Sequence, residues 1–191
     1  MILLTINIMK KNYLRLACLM FLIFLLPSTG KGQTLGVSSN ALGWAALSPN
    51  LGVEFGVAKK WTVSVDGLVN PFTYENGKKS KVWFVQPEVR FWPRHKFSGH
   101  AFGLNADYGQ YDWAMKKTGY KGDMIGIGAS YAYAYPLSKR WNFEAQIGAG
   151  YHWLSFDNRY DRKDPHSSIG PRDRSTFGLT KLGIKFTYFI F

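Results

Sequence analysis

The stretch GDMIGIGASYAYAYPLSKRWNFEAQIGAGYHW, residues 122–153, decides the fold class. On both sides of a turn at residues 136–140, its residues alternate between two sets, which is the period of a β-strand. One set is aromatic and aliphatic: Ile125, Ile127, Ala129, Tyr131, Tyr133 and Tyr135, then Trp141, Phe143, Ala145, Ile147, Ala149 and Tyr151. The other set is small or polar and includes Glu144, Gln146 and His152. The stretch therefore predicts two antiparallel strands joined by a turn.

The length of these two strands indicates the kind of sheet. Each run is roughly twice the usual strand of about five to six residues. Its small or polar face carries Glu144 and Gln146, which the core of a soluble sandwich would not hold. Long strands that are apolar outside and small or polar inside are typical of a transmembrane barrel.

The N-terminus has the order of a secretory signal peptide. Lys10, Lys11 and Arg15 precede an apolar run at residues 16–26, and small residues follow at Gly30 and Gly32. The run is too short for a membrane-spanning helix, which needs about 20 residues. We therefore predict a cleaved signal peptide at residues 1–32 and a mature domain at residues 33–191, with translation starting at Met1 or at Met9. An uncleaved anchor is the alternative.

Removal of this leader changes the chemistry of the chain. It takes away the one cysteine, Cys18, so the mature protein is expected to have no disulfide and no thiol chemistry. It removes four of the 24 basic residues and none of the 12 acidic ones, so the mature chain stays basic. A basic balance favours nucleic acid or an anionic surface, and export makes anionic lipid the expected partner.

The same alternation predicts eight strands in all, which is an even number and allows a closed barrel without exposed edges. The first strand is predicted at residues 35–47, with Leu42, Trp44 and Ala46 facing outward and with Ser38 and Asn40 on the same side. Pro87 lies inside the fourth strand. Because proline has no N–H for the ladder, we expect a bulge or a broken pairing there. The fold class is thus all-β, an eight-stranded antiparallel up-and-down transmembrane β-barrel.

Tryptophans mark the two ends of the predicted strands. Interfacial aromatic residues form a girdle at each edge of a membrane barrel. The girdle beside the short turns is predicted to contain Trp61, Trp92 and Trp141. The girdle beside the long loops is predicted to contain Trp83, Trp113 and Trp153.

Strand parity places ionisable side chains on the inner face. They are Glu54, Asp66, Glu88, Arg90, Asp107, Glu144, His152, Lys181 and Lys185. Buried charges persist only when they are paired or hydrated, and the interior of an eight-stranded barrel is just wide enough to be filled by side chains. We therefore predict an ion-paired plug, with a pore as the alternative. His152 is interpreted as an interior histidine, with Glu144 and Glu54 as its candidate partners.

Cofactor, metal and enzymatic sites each require a particular residue spacing. The pairs Gly126/Gly128 and Gly148/Gly150 resemble phosphate cradles but lie within strands, so no cofactor is predicted. No metal is predicted either, because His95, His100, His152 and His166 lack metal-ligand spacing. A lipid-modifying enzyme with a scattered Ser/His pair stays an alternative. Basic loop residues suggest either a solvated rim or a site for lipopolysaccharide phosphates: Lys78, Lys79, Lys116, Lys117, Arg159, Arg162 and Arg172.

Five segments resemble a family of outer-membrane barrels of unknown function from gut and oral anaerobes. They are SPNLGVEFGVAKKWTVSVDGLVNPF at 48–72, VQPEVRFWP at 85–93, GHAFGLNADYGQYD at 99–112, KRWNFEAQIGAGY at 139–151 and TKLGIKFTY at 180–188. Members of that family are often encoded beside fimbrillin-type adhesin genes. The resemblance implies the barrel and its address in the outer membrane, and it brings no catalytic residues.

The expected function is therefore that of a non-enzymatic, monomeric outer-membrane barrel with a structural or surface-interaction role. Its expected partners are outer-membrane lipid and, through the resemblance, a fimbrial or surface protein; nucleic acid is not expected. The alternatives are a lipid-modifying enzyme, a small passive channel and a soluble ligand-binding barrel of lipocalin type. A heat-modifiable gel shift in a membrane fraction would exclude the soluble barrel.

Overall fold

The computed structural model describes residues 35–73, 78–114, 118–161 and 172–190, with the backbone alone at 156–161 and 172. The predicted signal peptide, Cys18 and the predicted cleavage site near Gln33 lie outside these residues. So do residues 162–171, which include Arg162 and His166, and so do Lys116 and Lys117.

Eight strands form a single closed antiparallel barrel. They are β1 (Leu35–Asn40), β2 (Asn50–Ala58), β3 (Trp61–Asn70), β4 (Lys79–Phe91), β5 (Gly99–Ala114), β6 (Thr118–Pro136), β7 (Trp141–Asp161) and β8 (Arg172–Phe189). Each strand pairs with the next one along the chain, and β1 pairs with β8 to close the ring. The predicted all-β, eight-stranded up-and-down fold is confirmed. No helix among the described residues is long and apolar enough to cross a membrane.

The two faces of the wall are inverted relative to a soluble protein. Large apolar side chains on the outer face are exposed, including Leu104, Ile127, Ile147, Phe177 and Leu182. The described residues that are buried are instead mainly polar or charged, with alanines as the commonest apolar members. Because soluble proteins seldom bury charged residues, this barrel has its polar core inside and its apolar surface outside.

The first strand is shorter than predicted. β1 ends at Asn40, and a single helical turn, α1 (Ala41–Ala45), follows it. The Asn40 side chain accepts a hydrogen bond from the Leu42 N–H at 3.1 Å and so caps the turn. Asn50 fixes the same corner, because its Oδ1 accepts from the Asn40 N–H at 2.6 Å and its Nδ2 donates to the Asn40 carbonyl at 2.9 Å. The predicted parity was also wrong, since Ser38 is buried and faces inward.

Pro87 interrupts one ladder without forming a bulge. It pairs with Val65 of β3 in regular register. On the other side the pairing of β4 with β5 stops after Val85 and resumes at Glu88 in the same register. Of the two expected outcomes, a bulge or a broken pairing, the structure shows a break in the pairing of β4 with β5 at Pro87. The register shifts lie elsewhere, between Gly56 and Ala58, between Lys121 and Asp123, and opposite Gly148 and Ala149.

Strand length increases around the ring, from six residues in β1 to 21 in β7. The short turns at 59–60, 92–98 and 137–140 lie at one end of the barrel, together with the start of β1 and the end of β8. We call this the short-turn end and the opposite one the long-loop end. α1 lies in the connection 41–49 at the long-loop end, and at the same end β5 extends to Ala114 and β6 begins at Thr118.

Candidate functional site

The barrel interior contains seven charged side chains in mutual contact. This interior ion cluster consists of Glu54, Asp66, Glu88, Arg90, Glu144, Lys181 and Lys185. Its members come from β2, β3 and β4 on one wall and from β7 and β8 on another. The structure thus brings together seven of the nine ionisable side chains predicted for the inner face, with Asp107 and His152 as the exceptions.

Arg90 is the centre of the interior ion cluster, and it is only 1% exposed. Its Nε donates to Glu88 Oε2 at 2.6 Å on the same strand. Its Nη1 reaches across the lumen to both carboxylate oxygens of Glu144 at 3.0 Å and lies 3.4 Å from Glu54 Oε2. Its Nη2 donates to Gln146 Oε1 at 3.1 Å. One guanidinium therefore joins three strands, which uses the fixed fork of donors that arginine provides.

The two lysines complete the cluster. Lys181 Nζ donates to Glu88 Oε2 at 2.6 Å and to Asp66 Oδ2 at 3.1 Å. Lys185 Nζ lies 2.9 Å from Asp66 Oδ1. Four carboxylates therefore face three cations, so each buried charge has an opposite charge within 3.4 Å. Such pairing is what allows charges to remain away from bulk water.

Small residues on β5 and β6 leave the space that these long side chains fill. Ser130 donates a short hydrogen bond to Glu88 Oε1. A methyl group added at Gly103 would collide with Glu88 Oε1 and with the Ser130 hydroxyl. The glycine-rich inner face seen in the sequence is therefore the counterpart of the bulky charged face opposite.

Below the cluster, the short-turn end is closed by an aromatic seal of Trp92, Phe97 and Phe189. Trp92 is 0% exposed, and its ring centre lies 6.0 Å from that of Phe97, which lies 4.8 Å from Phe189. The Trp92 Nε1 donates to Thr62 Oγ1 at 2.9 Å, and Thr62 donates to Glu54 Oε1 at 2.6 Å. The seal and the cluster are thus one connected structure.

The assignment of Trp92 to a membrane girdle was therefore wrong. Trp92 follows Arg90 by two residues, so strand alternation directs it inward even though it lies beside a short turn. Trp61 and Trp141 do lie on the outer face at the short-turn end, where their ring centres lie 5.1 Å from that of Phe91 and 5.2 Å from that of Tyr188, respectively.

At the long-loop end the outer face carries Trp83 and Trp153. Trp83 lies 5.9 Å from Tyr108, and Trp153 lies 4.9 Å from Tyr151, measured between ring centres. Trp141 and Trp153 lie twelve residues apart on β7. With a rise of about 3.3 Å per residue and a strand tilt of about 40°, they are separated by about 30 Å along the barrel axis. That value is comparable to the apolar band of about 25 Å in outer-membrane barrels.

Trp113 was also assigned wrongly to the outer girdle. It shares strand parity with Gly109 and Asp107, which face inward, and it lines a cavity inside the wall. Trp44, which was assigned to neither girdle, lies exposed on α1 with its Nε1 donating to Ser39 Oγ at 2.8 Å.

That cavity, the apolar cup, has a volume of about 760 Å³ and opens at the long-loop end. Its apolar lining is Val82, Tyr111, Trp113, Tyr120, Met124 and Leu154. A smaller cavity of about 230 Å³ reaches Asp66, Lys181 and Lys185 from the same end. Water can therefore approach the interior ion cluster from the long-loop side, whereas the aromatic seal closes the other side.

His152 lies between the cluster and the apolar cup. Its Nδ1 is 3.4 Å from Asp107 Oδ2 without hydrogen-bond geometry, and the pair flanks Gly126. The predicted contact with Glu144 or Glu54 does not form. Glu144 lies eight residues back on the same strand, which is about 26 Å away at the usual rise. Within the described residues, no group of three or more His, Cys, Asp or Glu side chains is placed to hold a metal ion.

A family model described as "Protein of unknown function (DUF3575)" matches residues 18–190. The chain belongs to this family. The match spans all eight strands, so the interior ion cluster and the apolar cup both lie within it. Comparisons with curated proteins and with solved structures gave no match.

The basic rim of this DUF3575 chain is only partly described. Lys78 is exposed, and Lys79 forms an ion pair with Asp112 at 3.3 Å. The side chains of the other five rim residues fall outside the described part of the chain. The predicted phosphate site therefore rests on Lys78 and on the sequence.

Proposed function

We propose that this protein is an integral outer-membrane barrel, exported through a cleaved signal peptide, that acts as a closed scaffold with a surface-interaction role and no enzymatic activity. The proposal rests first on the outer face. Leu104 is 72% exposed and Phe177 is 73% exposed, in the band between the Trp61/Trp141 and Trp83/Trp153 levels. Apolar surface in water is unfavourable by about 25 cal/mol per Å², and a bilayer would cover this band.

One observation supports a closed scaffold over a channel. The interior ion cluster and the aromatic seal occupy successive layers of the lumen, and they are connected through Thr62 and Glu54. Ions that crossed the barrel would have to displace Arg90 from three carboxylates and also open the seal.

The lipid-modifying alternative has less support. Asp107 and His152 lie next to each other, as an acid–base pair would. In the described residues, however, neither Asp107 oxygen nor His152 Nδ1 has a hydrogen bond to a hydroxyl that could act as a nucleophile.

The proposal is tested by fractionation and by conductance. The protein is expected in the outer-membrane fraction, with a gel mobility that changes on heating, and purified barrels in planar bilayers are expected to show no conductance steps. Recovery in the soluble fraction would refute the membrane location. Reproducible conductance steps would replace the scaffold by a channel. An altered lipid A mass spectrum in a deletion strain would favour the enzyme.

The link to fimbrial adhesins follows from the sequence resemblance and stays a prediction. We propose that such a partner, or lipopolysaccharide phosphates, would contact the basic rim that includes Lys78. Cross-linking in intact cells through a photoreactive residue at position 78, compared with one at position 59 in a short turn, tests this. A fimbrial protein or lipopolysaccharide captured from position 78 alone is the expected result, and equal capture from both positions would contradict it.

A further inference from the structure

The apolar cup is enclosed by the tall part of the wall. Val82 pairs with Asn70, the last residue of β3, so the wall beyond this row consists of β4 to β8 only. The register continues the lining across neighbouring strands, because Val82 pairs with Tyr111 and Trp113 pairs with Tyr120. On the far side, Leu154 pairs with both Met124 and Arg174. The cup is thus a continuous inner surface of five strands.

This inner surface has the chemistry of a ligand site. Its volume of about 760 Å³ falls within the range of about 300 to 1,000 Å³ that is typical of small-molecule pockets. Trp113 is 54% exposed although it faces inward, so its ring lines open space and not a packed core. Such pockets are lined mainly by apolar and aromatic side chains with a few polar groups that fix orientation.

The charged groups around the cup favour an anion. Among the described residues that line it, Lys81 and Arg174 are cationic and Asp173 is the one carboxylate. Asp173 already accepts a hydrogen bond from Ser155 Oγ at 3.1 Å. Arg174 has the same inward parity as Leu154, its partner in the register, so it stands at the edge of the apolar lining.

We propose that the apolar cup binds an amphiphile with one alkyl chain and an anionic head group. The chain lies among Trp113, Met124 and Leu154, and the head group lies at Arg174. The proposed binding site adds a ligand to the proposed surface role. It rests on that role only for the assumption that the long-loop end, where the cup opens, is exposed at the cell surface. Binding needs neither a closed lumen nor a fimbrial partner.

Decanoate is a suitable probe, and the experiment reads it at Trp113. The barrel is labelled with fluorotryptophan, reconstituted in phosphatidylcholine nanodiscs and followed by fluorine NMR, with the Trp113 resonance assigned by its loss in Trp113→Phe. Decanoate is expected to shift the Trp113 resonance saturably. The Trp92 resonance is expected to stay fixed, and the Trp83 and Trp153 resonances are expected to drift linearly as decanoate enters the lipid.

Two comparisons test the chemistry of the site. Arg174→Gln is expected to weaken decanoate about two- to fivefold and to leave the neutral analogue decanol unchanged, because exposed charge pairs contribute little. Octanoate, which is two methylenes shorter, is expected to bind about fifteenfold more weakly, since each buried methylene contributes about 0.8 kcal/mol.

A blocking variant tests the location. Leu154→Trp should abolish the saturable shift of the Trp113 resonance. An unchanged Trp92 resonance shows that this variant has folded with its aromatic seal intact. If the Leu154→Trp barrel does not fold, Met124→Trp replaces it. A Trp113 resonance that only drifts like Trp83 would overturn the site. Equal weakening of decanoate and decanol by Arg174→Gln would overturn the anionic head group. Both results are independent of conductance, which tests the scaffold.

Discussion

Replacing Arg90 by alanine tests whether the interior is a plug or a pore. The side chain contacts Glu54, Glu88, Glu144 and Gln146. Its removal leaves four carboxylates against two lysines in a lumen that is closed at the short-turn end. Breaking a buried ion pair from one side destabilises by about 3 to 5 kcal/mol, because the remaining charge loses its partner. We expect Arg90→Ala to lower the free energy of unfolding by that amount.

A surface pair serves as the matched control. Lys79 and Asp112 also form an ion pair, but their side chains are 26% and 19% exposed. Pairs screened by water contribute about 0 to 1 kcal/mol, so Lys79→Ala should lie within that range. Adding Glu144→Gln to Arg90→Ala removes one of the stranded carboxylates. The double variant should therefore recover part of the loss, which a double-mutant cycle measures as a coupling energy.

The assay is urea unfolding of barrels refolded into phosphatidylcholine vesicles, followed by tryptophan fluorescence and by the heat-modifiable gel shift. The same preparations are examined in planar bilayers. An Arg90→Ala barrel within about 1 kcal/mol of the wild type, with conductance whose ion selectivity has changed, would refute the plug. In that case the carboxylates around position 90 would be hydrated in an open channel.

The other predictions concern the seal, the outer face and the leader. Trp92→Phe should lower the free energy of unfolding by about 0.5 to 1.5 kcal/mol through loss of its buried hydrogen bond, whereas Trp61→Phe on the outer face should change it less; equal losses would contradict the seal. Ile147→Arg, midway between Trp141 and Trp153 on the outer face, should impair folding into vesicles, since a lipid-facing arginine costs about 2 to 4 kcal/mol near the midplane, whereas Thr176→Lys on the inner face should fold normally; equal folding yields would contradict the face assignment. N-terminal sequencing of the membrane protein should begin close to Gln33, and a chain that starts at Met9 would contradict cleavage.

The interior ion cluster could be predicted from sequence because side chains alternate strictly between the two faces of a regular strand. Once Glu88 and Arg90 lie on the inner face of one strand, alternation fixes the inner face of the whole strand. Proximity to a turn suggests a girdle position for Trp92 and Trp113, but strand parity decides the face on which a side chain lies. The same alternation that placed Arg90 inward also places Trp92 inward, so this information was present in the sequence.

The end of β1 could not be read in this way. Leu42, Trp44 and Ala46 alternate as a strand would, and nothing local contradicts that pattern. The decisive contacts are the hydrogen bonds between Asn40 and Asn50, which lie ten residues apart. Side chains that cap a turn from a neighbouring strand are set by the tertiary fold, so a local period cannot reveal them.

The apolar cup depends on still longer-range information. Its lining comes from five strands, and its depth depends on how far β4 to β8 rise beyond β3. Strand ends are the least certain part of a periodic pattern, because ladders extend where a neighbour offers a partner. The sequence places Trp113 beside a long loop, but it could not show that Trp113 and Leu154 line the same cavity.

The interior ion cluster also bears on how the barrel selects its register. The alternation has a period of two, so a slip by one residue would exchange the inner and outer faces of a strand. A slip in β4 would turn Arg90 out of the lumen and would leave Glu54 and Glu144 without their cation. A slip in β7 would expose Glu144 and bring Ile147 into the charged lumen. If the interior were apolar, a one-residue slip would carry no such energetic penalty, because either face of the strand could then contact lipid. The buried charges therefore discriminate between registers even where their net contribution to stability is small.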